Sequence, residues 1–176
     1  MINKICQVID GEYVCDIDIS VEEWKALLMN EKVFDSKSIE ALKKWYIEPN
    51  HSCTCFDIGK KYEQHSMSAN GVINGLGGRV QKELGRFEVK GIGNIAPGTK
   101  FITVMKSKET GEKPKRYLWT IRDELVQAIK ELDFFGSKEI TTNEYYSDDE
   151  LINAMEANNT FDVAQTFEYT GEAKPK

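Results

Sequence analysis

The chain has 176 residues, of which 40% are hydrophobic and 30% are charged, as in an ordinary globular protein with a core of its own. No apolar run is long enough to span a membrane, and residues 1–5 are too short and too mixed to form a secretory signal. These features predict a cytoplasmic protein without a membrane partner, in which the four cysteines need no disulfide.

The net charge of −6 is distributed unevenly along the chain. Residues 60–122 hold 13 Lys/Arg and 5 Asp/Glu, a net charge of +8. The other segments are acidic, with net charges of −5 over 1–59, −3 over 123–135 and −6 over 136–176. A contiguous basic segment between acidic flanks is a candidate surface for nucleic acid, although the average charge argues against one.

Two short strands, 5–9 and 13–19, are predicted at the start of the chain. They flank an Asp-Gly pair, which is a hairpin turn signal. Ser20 and Glu23 then form a capping box, with Ser20 as the N-cap and Glu23 at the third helical position. We expect a helix to begin there and to end the N-terminal hairpin, 1–19.

Three further helices are predicted from apolar residues at helical spacing, over 38–47, 54–62 and 68–84. In the helix 54–62, Phe56 and Ile58 are expected to be buried. The helix 68–84 is capped by Ser68 and followed by Gly85 at its C-cap. It contains four internal glycines, Gly71, Gly75, Gly77 and Gly78. Because each costs about 1 kcal/mol against alanine, either the helix is shorter or something approaches its backbone closely.

From residue 86 the pattern changes to the period of two that is typical of strands. Strands are predicted over 86–90, 101–105 and 116–121, the last two forming a hairpin around the turn-rich segment 107–115. A final helix is predicted over 123–132.

The fold class is therefore α+β. It comprises short N-terminal strands (1–19), a winged-helix-like domain with a β-hairpin wing (20–135), and an acidic C-terminal linker (136–176). In winged helices the second helix of the pair enters the major groove, here the helix 68–84. Its short polar side chains are candidates for base contacts, and the cations that follow are candidates for phosphate contacts. The full predicted DNA-binding set is Lys60, Lys61, Ser66, Ser68, Asn70, Asn74, Arg79, Lys82, Arg86, Lys106, Lys108, Lys113, Lys115 and Arg116.

The wing, 106–116, contains five basic residues and can follow a phosphate backbone or enter the minor groove. An alternative stays open, because lysine-rich hairpin tips also serve as solubility devices and guards of strand edges. Tyr117 and Trp119 are expected in the core. Their alternative role is a stacking pocket for a flipped base.

Neither a metal site nor a catalytic site is predicted. The stretch 51–55, His-Ser-Cys-Thr-Cys, together with Cys6 and Cys15 offers enough ligands for zinc, but zinc motifs usually separate paired ligands by at least two residues. His51 and His65 are the only histidines, both in turns, and no nucleophile–base order accompanies them. We therefore predict no metal, no cofactor and no catalytic residues in this chain.

The segment 119–129, Trp-Thr-Ile-Arg-Asp-Glu-Leu-Val-Gln-Ala-Ile, resembles the W-x-L-R-x-E-L-x-x-A-L signature of small modules in bacterial modification-dependent restriction proteins. In those modules a helical pair similar to 53–85 comes first, with a tract similar to 73–80 in its second helix. The stretch 45–55 also resembles their upstream helix end. The resemblance covers about residues 19–132 and includes no enzymatic motif.

Such modules precede either a GTP-dependent AAA-type motor that recruits a nuclease or an HNH nuclease. Residues 166–176 resemble the linker that precedes the HNH domain in the second group. The resemblance implies that the chain is the recognition domain of an HNH restriction endonuclease, with its catalytic domain beyond residue 176. The implied partner is double-stranded DNA, modified or unmodified. The alternative is a protein-interaction module that docks a partner subunit of a restriction or motor complex, and a homodimer through the full-length protein also stays open.

Overall fold

The computed structural model describes residues 1–91, 99–113 and 116–136, with mixed α+β structure as predicted. Within these ranges there are five α-helices: α1 (Val21–Leu28), α2 (Ser36–Tyr46), α3 (Cys55–Lys61), α4 (Ser66–Leu84) and α5 (Asp123–Glu131). The same ranges contain six strands: β1 (Ile2–Ile9), β2 (Glu12–Val14), β3 (Ser52–Thr54), β4 (Phe87–Gly91), β5 (Met105–Glu109) and β6 (Tyr117–Ile121). Two 3₁₀ segments occur at Pro49–His51 and Thr99–Thr103. The predicted Lys115 and, beyond Gly136, the predicted acidic linker lie outside the described residues.

Side chains local in sequence fix the helix ends. The predicted capping box of α1 is confirmed, because the Ser20 hydroxyl accepts from the Glu23 amide at 3.2 Å and the Ser20 amide donates to the Glu23 carboxylate at 2.9 Å. Gly85, with φ of 64°, ends α4 as predicted. The predicted start of α4 at Ser68 was wrong, because the His65 ring accepts from the Met67 amide and begins the helix two residues earlier.

The strands form two three-stranded sheets with orders β2–β1–β4 and β3–β6–β5. In the first, β1 pairs antiparallel with β2 through the predicted turn and parallel with β4, with Ile2 opposite Phe87. In the second, β5 and β6 form a hairpin and β3 adds antiparallel to β6, with Cys53 opposite Trp119. The first sheet thus joins the N-terminal hairpin to a strand from the middle of the chain.

The strand predicted over 101–105 was wrong. These residues belong mainly to the second 3₁₀ segment, and β5 begins only at Met105. All five side chains are buried, so their hydrophobicity reflects complete burial and not the alternation of a half-buried strand. The segment is held by α4, because the Asn74 side-chain carbonyl accepts from the Phe101 amide at 3.0 Å.

Close packing between α4 and the second 3₁₀ segment explains one of the costly glycines. A Cβ on Gly77 would overlap the backbone carbonyl of Lys100, whereas a Cβ on Gly71 would have nothing within 4 Å. Of the two alternatives that the sequence left open, Gly77 thus supports the close approach, and α4 is not shorter than predicted. No helix in the described ranges is long and apolar enough to cross a membrane.

Candidate nucleic-acid interface

The residues predicted to contact bases lie in the first half of α4, and they differ in whether their side chains are already hydrogen-bonded within the fold. Ser66, Ser68 and Asn70 are half-buried in the first two turns. Asn74 is committed to the fold, since its side-chain carbonyl caps the Phe101 amide. The N-terminal part of α4 therefore keeps three short polar side chains at or near the surface.

Two of the predicted phosphate-contacting arginines, Arg79 in α4 and Arg86 just beyond it, bind groups from earlier parts of the chain. Arg79 donates to the Val33 carbonyl at 2.9 Å and to the Ser38 hydroxyl at 2.5 Å. Arg86 forms a bidentate ion pair with Glu23 and donates to the Asp18 carbonyl at 2.7 Å. Because these guanidinium groups already have protein partners, a phosphate would have to compete for them.

The predicted lysines are more accessible. Lys61 pairs with Glu48 at 2.6 Å, which raises the pKa of its ammonium group, and Lys106 pairs with Asp123 at 3.1 Å. The Lys106–Asp123 pair is exposed on both sides, and pairs of this kind contribute only about 0–1 kcal/mol, so Lys106 stays available; Lys61 is held more firmly, because Glu48 is largely buried. Lys82 is exposed and has no ion pair with a described residue.

One surface combines cations from α3 and from the β5–β6 hairpin, and we call it the hairpin surface (Phe56, Lys60, Lys108, Lys113 and Arg116). Pairing in the second sheet places Lys108 opposite Leu118 and Leu118 opposite Thr54, so the three side chains share one face. Thr54 is also the N-cap of α3, which brings that helix beside the hairpin.

Direct contact joins α3 to the hairpin at this surface. The guanidinium carbon of Arg116 lies 3.8 Å from the ring centroid of Phe56. Lys60 is one helical turn beyond Phe56 and therefore lies on the same side of α3. The contact between Phe56 and Arg116 thus joins the α3 part and the hairpin part of this surface, which are far apart in sequence.

The charge of the hairpin surface is largely uncompensated. Lys60, Lys108 and Lys113 are exposed and form no ion pair with any residue that the structure describes. Arg116 pairs with Glu112 at 3.3 Å. Such a cluster attracts polyanions because no nearby carboxylate neutralises most of its cations.

The opposite face of the hairpin is covered. Trp119 is a core residue, as predicted, with 7% of its surface exposed and its ring 4.3 Å from that of Phe101. Tyr13 of β2 stacks parallel to it at 6.0 Å, and the Tyr13 amide donates to the Ser107 hydroxyl at 2.8 Å. Tyr117 lies 4.6 Å from Tyr13, and burial with a hydrogen bond to Tyr117 raises the pKa of Tyr13 to about 12. Only the outer face of the hairpin is therefore open to a large ligand.

Sequence reasoning missed Phe56, which it expected in the core. Phe56 is 43% exposed, whereas Ile58 is fully buried. Residues two apart in a helix lie on nearly opposite sides, so the two could not both face the core of a short helix. That spacing was the available signal.

A groove of about 550 Å³ lies between the first 3₁₀ segment, β6 and α5. His51 lines it, but its ring stacks on Tyr46 and its Nδ1 donates to the Tyr46 carbonyl at 2.6 Å. Burial raises the pKa of the Cys53 thiol to about 11 and that of Cys55 to about 12, which keeps both protonated at neutral pH. Among the described residues no group of three or more His, Cys, Asp or Glu could hold a metal ion.

Arg122, at the centre of the signature that resembles restriction-protein modules, makes internal contacts. Its guanidinium donates twice to the Ile102 carbonyl, at 2.9 and 2.7 Å, from a largely buried position. It therefore ties the start of α5 to the second 3₁₀ segment. Comparison with protein-family models, curated proteins and solved structures identifies no match to this chain.

Proposed function

We propose that this chain binds double-stranded DNA and that the hairpin surface contacts the phosphate backbone. The observation that carries the proposal is the cluster of exposed cations from α3 and the hairpin with few carboxylate partners. Phosphate neutralisation by such groups supplies most of the sequence-independent affinity of DNA-binding proteins.

Topology supports a winged-helix-like arrangement of residues 36–121. The order along the chain is α2, β3, α3, α4, β4, β5, β6; β4 pairs in the first sheet, and in the second sheet β3 lies on the far side of β6 from β5. In this arrangement α4 is the recognition helix and the β5–β6 hairpin is the wing. Ser66, Ser68 and Asn70 would then reach base edges.

We further propose that the domain belongs to a restriction endonuclease of the HNH type directed at modified DNA, with a cytoplasmic location. The support is the resemblance of residues 119–129 to the signature of such modules. The chain would act as the recognition domain, with catalysis assigned to a separate HNH domain.

The test is fluorescence anisotropy with methylated and unmethylated duplexes over a range of salt concentrations. We expect the affinity of the wild-type protein to fall steeply with salt. The double variant Lys108→Gln/Lys113→Gln should lower the slope of log K against log[salt] by about 2, one unit for each lost phosphate contact. The matched control is Lys32→Gln/Lys37→Gln, which removes two exposed lysines, one between α1 and α2 and one in the first turn of α2.

Equal effects of the two double variants would show that only net charge matters and would refute the proposed surface. Absence of duplex binding at low salt would refute the proposed function itself. If charge reversal at the hairpin abolished capture of a partner subunit while DNA binding stayed intact, the protein-interaction alternative would replace it.

A further inference from the structure

We infer that Phe56 is a positioning residue of the DNA interface, whose ring holds the Arg116 guanidinium flat so that its N–H edge can engage a backbone phosphate. The inference rests on the proposed function and adds to it a residue outside the predicted DNA-binding set.

Phe56 has no evident role in the core. It occupies the second position of α3, is 43% exposed, and leaves the buried side of that helix to Ile58 and Gly59. Its side chain leaves far more apolar surface in water than that of a core residue such as Ile58. Its ring instead contacts Arg116, whose guanidinium carbon lies 3.8 Å from the ring centroid.

Both the backbone and the guanidinium group of Arg116 make contacts that hold them in place. Its backbone carbonyl accepts from the amide of Thr110 at 3.1 Å and from the hydroxyl of Thr110 at 3.2 Å, which holds the base of the hairpin. Its guanidinium lies over the Phe56 ring, and its side chain is 28% exposed. A long flexible side chain has thereby lost much of its rotamer freedom before any ligand arrives, which lowers the entropic cost of binding.

The Phe56 ring lies 3.8 Å from the guanidinium carbon and contacts that group without accepting all of its N–H donors. Arginine has five N–H donors, and Glu112 accepts from Nη1 at 3.3 Å. The remaining donors lie in a planar fork that matches two phosphate oxygens. Lys60, on the same side of α3 as Phe56, adds a second cation beside this fork.

A double-mutant cycle measured by duplex anisotropy tests this role. Phe56→Leu should weaken affinity about two- to fivefold, the range expected for loss of a cation–π contact at an exposed site. Phe56→Tyr, which keeps the ring, should bind as the wild-type protein does. In an Arg116→Gln background, Phe56→Leu should have no further effect. Phe134→Leu, at a half-buried aromatic after α5, is the matched control, and circular dichroism checks that each variant is folded.

Three outcomes would overturn the inference while leaving the proposed function standing: unchanged affinity in Phe56→Leu, unchanged affinity in Arg116→Gln, or an equal loss from Phe56→Leu in both backgrounds. The last would mean that Phe56 contacts DNA directly. A wild-type protein that binds no duplex at low salt would instead refute the proposed function and this inference together.

Discussion

Replacing Gly77 by alanine should destabilise the protein strongly, whereas the same change at Gly71 should stabilise it. Both residues lie inside α4, so both substitutions gain the same helix propensity of about 1 kcal/mol. They differ in what the new methyl group meets. At Gly77 it would lie 2.6 Å from the carbonyl carbon of Lys100, and at Gly71 it would enter open space.

The obstacle at Gly77 is backbone and cannot rotate away. The second 3₁₀ segment would have to move from α4, which strains the bond between Asn74 and the Phe101 amide. Overpacking costs about 1–3 kcal/mol, and loss of a buried hydrogen bond adds about 1–3 kcal/mol. After the propensity gain, we expect Gly77→Ala to lower the free energy of unfolding by about 1–5 kcal/mol and Gly71→Ala to raise it by up to about 1 kcal/mol.

The assay is urea unfolding followed by far-ultraviolet circular dichroism, with the two variants measured beside the wild-type protein. The unfolding midpoint should fall for Gly77→Ala and rise for Gly71→Ala. Equal shifts in the same direction would refute the reasoning, because they would show that propensity, and not contact with Lys100, decides the effect.

Three further results are expected. The Ser20 amide and the Arg86 guanidinium hold the pKa of Glu23 below its usual value. This carboxylate therefore stabilises the fold above its unfolded pKa of about 4.3, and the stabilisation is lost as pH falls through the folded pKa. Glu23→Gln should reduce the acid sensitivity of the urea midpoint between about pH 6 and pH 3. Asn74→Ala should lower the free energy of unfolding by about 1–3 kcal/mol, because it leaves a backbone amide without an acceptor, and should leave the salt slope of DNA binding unchanged. Arg122→Lys should lower the melting temperature in differential scanning fluorimetry, since one ammonium cannot reproduce the two guanidinium bonds to the carbonyl that it binds, and an unchanged value would contradict that structural role.

Local signals in the sequence predicted the features that local chemistry determines. The capping box of α1, the C-cap of α4 and the Asp-Gly turn all depend on residues within a few positions of each other. The prediction of a strand over 101–105 was wrong because a mostly apolar run indicates burial and does not determine backbone conformation. Periodicity could not distinguish a strand from a 3₁₀ segment pressed against α4.

The candidate interface was predicted less completely than the fold. Net charge located the basic segment, but it could not show that Arg79 and Arg86 bind groups from the first 38 residues of the chain. Such pairings depend on tertiary contacts between distant segments. For the same reason the stack of Arg116 on Phe56 could not be seen in the sequence, although helical spacing already separated Phe56 from Ile58.

The parallel pairing of β1 with β4 sets an order for folding during synthesis. Ile2 leaves the ribosome before its partner Phe87, which appears only after four helices have been made. Until then β1 lacks its parallel partner strand, and Cys6 is not yet in the folded core. The strand, with its exposed isoleucines and valine, has a free edge that other chains could join. We expect nascent chains that stop before β4 to aggregate, and chains that extend past it to stay dispersed.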